Sequence, residues 1–298
     1  MIARTREIEK ERSNMNNKTT SFRVEPLSPR ILDHLDRLEA QSIYIFREAF
    51  HAIDKIAMLW SFGKDSNVMI HLARKAFFGQ VPFPLIHCDT EIEMQEVYEF
   101  RDRYSKEWGV HLISHVCPSI ESTDATLPHA ARVAARKTLG LKQVVEKYGF
   151  TGIIAGIRRD EEATRAKERV FSPRGQEGGW DVKEQPPEFW DQYKTEFPPG
   201  TSIRIHPLLH WTEIDIWRYI QRENIPIVPL YYAREYHQFE GRDLGGKRMR
   251  FRSLGERGIT WPVESNADSI EAIIEELRTT KLSERSGRPM GADEDESS

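Results

Sequence analysis

Ile56-Ala57-Met58-Leu59-Trp60-Ser61-Phe62-Gly63-Lys64-Asp65-Ser66-Asn67-Val68-Met69-Ile70-His71-Leu72-Ala73-Arg74-Lys75-Ala76 decides the fold. The apolar run 56–60 reads as a buried strand, and 67–76 as a helix with Val68, Met69 and Leu72 on one face. Between them lies a short polar loop, Ser61 to Ser66, with one glycine. A strand, such a loop and a helix start make an anion site. The unpaired N–H groups of the first turn point at the loop, and the helix dipole favours negative charge there. Ser61 and Ser66 add hydroxyl donors and Lys64 a point charge, a set suited to a di- or triphosphate. The pattern is not a Walker A loop, because Met58 and Asp65 stand where that motif needs glycine and Ser/Thr.

Outward from this unit, strands and helices alternate. Strands are expected at 83–90, 111–116, 152–157 and 203–208, with helices at 94–108 and 130–147. A further helix is capped by Thr212, with Asp215 in capping-box spacing. The alternation predicts an α/β fold with a doubly wound, mostly parallel sheet. Ligands of such sheets bind at the carboxyl ends of the strands. The phosphate loop, Asp89-Thr90, Cys117 and Arg158-Arg159 all fall there.

The flanks read differently. Residues 1–27 form a flexible, polar arm, and Ser28-Pro29 starts a helix with Ile31, Leu32, Leu35, Leu38, Ile43 and Phe46 on its buried face. A nucleotide-binding catalytic domain is expected over 28–230, interrupted by a Gly- and Pro-rich excursion at 172–200. An irregular C-terminal extension follows over 231–286, with a helix from Asp268 to about Thr280, then an acidic disordered tail at 287–298.

Lys and Arg number 43 against 47 Asp and Glu, a net charge of −4, with four of the acids in the last six residues. The body is near neutral, so the charge does not indicate direct nucleic-acid binding. No apolar run approaches the ~20 residues of a membrane span, and a soluble, cytoplasmic protein is expected. Two cysteines, Cys88 and Cys117, make neither a disulfide framework nor a zinc site. No metal site in the protein itself is read from the sequence.

The second informative stretch is Gly156-Ile157-Arg158-Arg159-Asp160-Glu161-Glu162-Ala163-Thr164-Arg165-Ala166-Lys167-Glu168-Arg169. A glycine at a strand end lets a flat ring or a phosphate come close. The arginine forks suit phosphate and sulfate oxygens. A solvated helix laced with ion pairs has the same composition. The position opposite the phosphate loop favours function.

The loop resembles the Ser-Gly-Gly-x-Asp-Ser pyrophosphate loop of the adenine-nucleotide α-hydrolase superfamily, with Phe62 in place of the first glycine. The arginine segment is similar to that of the small catalytic subunit of bacterial sulfate adenylyltransferase, a relative of the phosphoadenylyl-sulfate (PAPS) reductases. So are Phe100-Arg101-Asp102-Arg103, Gly140-Leu141-Lys142-Gln143, Trp211-Thr212-Glu213, Ile225 to Tyr231, Arg250-Phe251-Arg252-Ser253-Leu254-Gly255, Val263-Glu264-Ser265 and Ser283-Glu284-Arg285. The resemblance spans residues 30–288. It implies ATP with Mg²⁺, an oxyanion attacking the α-phosphorus, and release of pyrophosphate. It implies a catalytic set of Lys64, Asp65, Arg158, Arg159 and Arg165. ATP would lie on Ser61, Phe62, Gly63, Lys64, Asp65, Ser66, His87, Asp89 and Gly156. A GTPase large subunit would be the partner.

The chain also departs from that family. Glu91-Ile92-Glu93-Met94 replaces a segment containing Trp-Lys-Phe, and Gly258-Ile259-Thr260-Trp261-Pro262 replaces Cys-x-x-Thr-Gly. A block between Tyr232 and Lys247 is largely missing, and the terminal Gly-Tyr-Phe is absent. These departures and the two cysteines leave a rival open. It is an ATP pyrophosphatase of a sulfur-incorporation system such as DNA phosphorothioation, with a cysteine desulfurase and DNA-modification proteins as partners and Cys88 or Cys117 relaying sulfur. A non-catalytic nucleotide-binding regulatory module is the third reading. The intact Lys64-Asp65-Ser66 argues against it.

Overall fold

Six strands form the main sheet of the computed structural model: β1 (Ile56–Leu59), β2 (Leu85–Asp89), β3 (Leu112–Val116), β4 (Gly152–Ile154), β5 (Phe171–Arg174) and β6 (Ser202–Ile205). The structure describes residues 33–175, 181, 183, 185–280 and 284. The polar arm, the Ser28-Pro29 helix start and the acidic tail lie outside the described residues. The compact unit that carries the fold starts at His34.

The sheet order is β3-β2-β1-β4-β6-β5. Every pairing is parallel except β5 with β6. The expected doubly wound, mostly parallel α/β sheet is therefore present. The chain lays down β1, β2 and β3 in one direction, then returns to place β4 on the other side of β1. That reversal leaves a crevice between the ends of β1 and β4, where connections lead away to opposite sides.

Helices cover both faces: α1 (His34–Ala52), α2 (Lys64–Ala76), α3 (Gln95–Glu107), α4 (His129–Tyr148), α5 (Glu213–Glu223) and α6 (Ile270–Thr279). α1 packs on α2, α2 on α5, and α5 on α6, while α4 lies against β2 and β3. The larger core joins Phe46, Met58, Trp60, Val68, Leu72, Trp217 and Ile220. A smaller core under α4 holds Ala57, Ile86, Val144 and Ile153. Alternate residues of β1 thus serve opposite faces, as the period of a strand requires. Thr212 caps α5 in a complete capping box with Asp215.

Two stretches differ from the sequence reading. The excursion at 172–200 begins inside β5, an edge strand that tolerates Pro173 because one side has no partner strand. Residues 231–268, read as irregular, hold a second antiparallel sheet of β7 (Arg234–Phe239), β8 (Arg242–Arg250) and β9 (Val263–Glu264). Most residues of β7 and β8 are exposed, and most of the exposed ones are charged, so no alternating apolar pattern marks them. Their hairpin turns at Glu240 and Gly241, both with positive φ (48° and 76°). That is the primed turn of two-residue hairpins, but Glu-Gly lacks the Asn-Gly or Asp-Gly signature.

Candidate active site

The loop after β1 is fixed from three directions. Gly63 is the N-cap of α2 in an extended conformation, and no side chain caps the helix. Instead the Lys64 N–H donates to the Tyr231 hydroxyl at 2.9 Å. The Ser66 hydroxyl donates to the Gly63 carbonyl at 2.9 Å and lies 3.3 Å from that of Ser61. The amide of buried Asn67 donates to the Phe62 carbonyl at 3.2 Å, and its oxygen accepts from the Trp60 indole at 2.9 Å.

Phe62 has a φ of 60°, the left-handed region that suits the glycine it replaces. The loop therefore keeps a glycine-like path with an aromatic residue in it. The strain is of order 1–2 kcal/mol. The Phe62 ring offsets it by full burial, edge-on to Trp60 and to His87 with both centroid distances 4.6 Å.

Two cavities meet at the end of β1. The first, about 240 Å³, opens between β1 and β4 and is lined by Ser61, Gly63, Lys64, Asp65, Ser66 and Gly156. Tyr231, Ser253, Leu254, Glu161 and Glu284 complete its wall. A Cβ on Gly156 would stand 2.9 Å from Cε of Met69, so glycine lets β4 end close against α2. The second, about 200 Å³, lies over β1 and β2 beneath α4 and is mostly apolar, with Leu59, Ile86, His87, Cys88 and Leu141 in its wall. Leu59 and Ser61 line both. A polar, donor-lined chamber beside an apolar slot matches the two halves of a nucleotide.

The charges concentrate at the first cavity. Lys64 lies 3.2 Å from Asp65 and pairs with Glu284. Arg158 is fully buried; it pairs with Asp65, with Asp160 at 2.9 Å, with Glu161 at 3.7 Å and with Glu284 at 2.6 Å. Burial would lower the Arg158 pKa, but Glu284, Asp160 and Glu161 outweigh it and hold it above the ordinary arginine value. Burial would likewise raise the Glu284 carboxyl, yet Lys64 and Arg158 pull it down to about 2. Arg158 is thus held charged beside the cavity.

The structure gathers Ser61, Gly63, Lys64, Asp65, Ser66 and Gly156 around one cavity, with Arg158 joined through Asp65. His87 and Cys88 belong to the second cavity. Four of the remaining sequence candidates lie elsewhere. The Phe62 side chain is in the core. Asp89 accepts from Tyr98 (2.9 Å), the Glu91 N–H (2.8 Å) and Arg101 (3.3 Å) and lines neither cavity. Arg159 donates to the Glu168 carbonyl at 3.0 Å and lines a separate cavity with Arg169, Glu188 and His210. Arg165 pairs with Glu162 at 3.0 Å. Arg158 and Arg159 are adjacent, yet they serve different cavities.

Cys117 is buried beside Cys88 at the ends of β3 and β2. Hydrogen bonding between the two thiols raises the pKa of Cys88 and lowers that of Cys117. Sequence reasoning gave no role to Tyr231, Asn67 or Glu284, which close the loop from afar. It also missed Lys137 of α4, which pairs with Glu93 (3.9 Å) and Glu256. The Arg257 N–H donates to the Ile92 carbonyl at 2.9 Å.

Residues 55–262 match the phosphoadenosine phosphosulfate reductase domain family. The chain is 45% identical over 287 residues to sulfate adenylyltransferase subunit 2 of Ectopseudomonas mendocina, covering 88% of this chain and 94% of that one. Identity to sulfate adenylyltransferase subunit 2 of Geotalea uraniireducens is 45% over 285 residues, covering 89% and 95%. Among solved structures, FMN adenylyltransferase of Candida glabrata in complex with ATP superposes with a TM-score of 0.50 at 18% identity, covering 81% of this chain and 71% of that one, a likeness of fold alone. The match over most of both lengths establishes that the chain belongs to the phosphoadenosine phosphosulfate reductase domain family, among the sulfate adenylyltransferase subunit 2 proteins.

Proposed function

We propose that the protein transfers the adenylyl group of ATP to sulfate, releasing pyrophosphate, as the name of its relatives states. The observation that carries this reading is the donor-lined cavity between β1 and β4 joined to an apolar slot at Leu59 and Ser61. Adenine lies in the slot against His87 and Cys88, and the phosphates lie over Gly63 to Ser66. A sulfate oxygen forms a bond to the α-phosphorus. The bond from that phosphorus to the bridging oxygen breaks, and pyrophosphate departs with the electron pair. Lys64 and Arg158 hold positive charge where negative charge develops, and the first turn of α2 adds its dipole. Asp65 holds both cations in place. Arg159 and Arg165, on the same segment, serve the approach of the anionic acceptor. Asp65 and Glu161, two of the cavity's carboxylates, would hold a Mg²⁺ ion, which would supply charge neutralisation to the triphosphate.

A subunit 2 implies a larger partner subunit, and a GTPase in that place would supply the driving force for an unfavourable transfer. The test is product analysis on labelled ATP with Mg²⁺ and sulfate. Pyrophosphate and adenylyl sulfate are expected. Orthophosphate as the only product, or pyrophosphate release indifferent to sulfate, would overturn the reading.

One observation favours the sulfur-incorporation reading. Cys88 lines the slot and has a second thiol beside it. In that reading the outer sulfur of a persulfide on one of the pair bonds to a group activated by ATP and AMP leaves, and the second thiol then breaks the S–S bond as a Cys88–Cys117 disulfide forms.

A further inference from the structure

We propose that Glu284 is an internal anion that fills the phosphate site and is exchanged for the β- and γ-phosphates of the nucleotide. This rests on the reading of the first cavity as the ATP phosphate site.

The Glu284 side chain is 8% exposed and lies against Lys64, 1% exposed, and Arg158, fully buried. One carboxylate oxygen takes Lys64 and the other takes Arg158, at 2.6 Å for the latter. These two cations, one from the loop after β1 and one from the segment after β4, are the ones a phosphate in this cavity would use. A carboxylate and a phosphate accept from the same donors in the same fork geometry. A phosphate at Lys64 and Arg158 therefore requires Glu284 to leave.

The charge balance points the same way. Among the described residues, Asp65, Asp160, Glu161 and Glu284 stand within 4.0 Å of Lys64 or Arg158. With Glu284 in place a polyphosphate would meet a carboxylate already seated on both cations. Withdrawal of Glu284 opens one position on each, Lys64 keeping Asp65 and Arg158 keeping Asp65, Asp160 and Glu161, and removes one negative charge.

The exchange makes the site selective. A ligand whose phosphates reach Lys64 and Arg158 must displace Glu284 and binds more weakly for it. AMP and adenosine, which reach only the slot and the loop's near edge, do not compete with it. The same competition favours release of pyrophosphate after transfer, because Glu284 returns to the donors that pyrophosphate leaves.

The test uses the full-length protein and its Glu284→Gln variant, with Glu284→Ala as a second removal of the charge. Binding of ATP·Mg²⁺, pyrophosphate and AMP is measured by calorimetry. ATP and pyrophosphate are expected to bind about tenfold more tightly to both variants, a coupling of ordinary size, with AMP unchanged. In the unaltered protein, amide exchange of the peptide containing Glu284 is expected to speed up when pyrophosphate is added. Equal or weaker ATP and pyrophosphate binding by the variants, or slower exchange at that peptide, would overturn the exchange while leaving the proposed function standing. Failure of ATP and pyrophosphate to bind any of the three proteins would overturn both.

Discussion

The Tyr231 hydroxyl accepts the Lys64 N–H at 2.9 Å across 167 positions of sequence. It takes the first amide of α2, which no side chain of the loop reaches. Tyr231 is buried, and burial pushes its pKa up, so the phenol stays protonated. Tyr231→Phe leaves that N–H without its partner in a buried wall. A loss of about 1–3 kcal/mol is expected, readable as a fall in thermal midpoint. An unchanged midpoint would remove Tyr231 from the scaffold of the loop.

Lys64→Ala and Arg158→Ala are each expected to lower turnover on the order of 10²-fold or more, as for lost preorganised charge. Arg159→Ala is expected to cost less, because its guanidinium lines another cavity. Steady-state kinetics on the folded variants separates the two arginines. An Arg159 effect as large as that of Arg158 would place the acceptor in the outer cavity.

Gly156→Ala puts a methyl 2.9 Å from Met69 Cε, at the back of the phosphate cavity. Met69 ends in a flexible thioether and can shift, so a modest loss of about 1 kcal/mol is expected. Gly156→Val adds bulk there and is expected to weaken ATP binding more than AMP binding. Calorimetry with both ligands checks the difference.

His206 is completely buried, and burial lowers its pKa to about 4 from 6.5. Its Nδ1–H donates to the Arg169 carbonyl at 2.8 Å, which fixes the neutral tautomer. Between pH 6.5 and 4 the unfolded chain binds a proton that the folded one does not. Stability therefore falls as pH falls through that window, by up to roughly 3 kcal/mol from this group. Glu284 adds a second loss at lower pH, between 4.5 and about 2, as its depressed carboxyl is protonated. Chemical denaturation at stepped pH should show the higher window removed in His206→Gln.

The Cys88→Ser/Cys117→Ser double variant separates the two chemical readings. Sulfate-dependent pyrophosphate release is expected to persist, since neither thiol touches the phosphate cavity. Retained ATP cleavage with loss of a persulfide, seen by mass spectrometry after desulfurase treatment, would favour sulfur relay.

The sequence by itself determined the parallel strands of the main sheet, most of their helices and the place of the loop after β1. Each rests on local pattern: an apolar run at 56–60, helical spacing at 67–76, and a capping box at Thr212 and Asp215. Period and capping act within a few residues, so they are visible in the chain. Tertiary structure decided which charges share the site. Arg158 and Arg159 are neighbours in sequence, yet only Arg158 pairs with Asp65, while Arg159 donates to the Glu168 carbonyl and lines another cavity. Glu284 meets Lys64 across 220 positions and Tyr231 meets it across 167, distances that no local pattern encodes. The β7–β8 hairpin stayed hidden for a related reason: its strands are held by backbone pairing and carry exposed charges, so the apolar signal that announces a strand is absent.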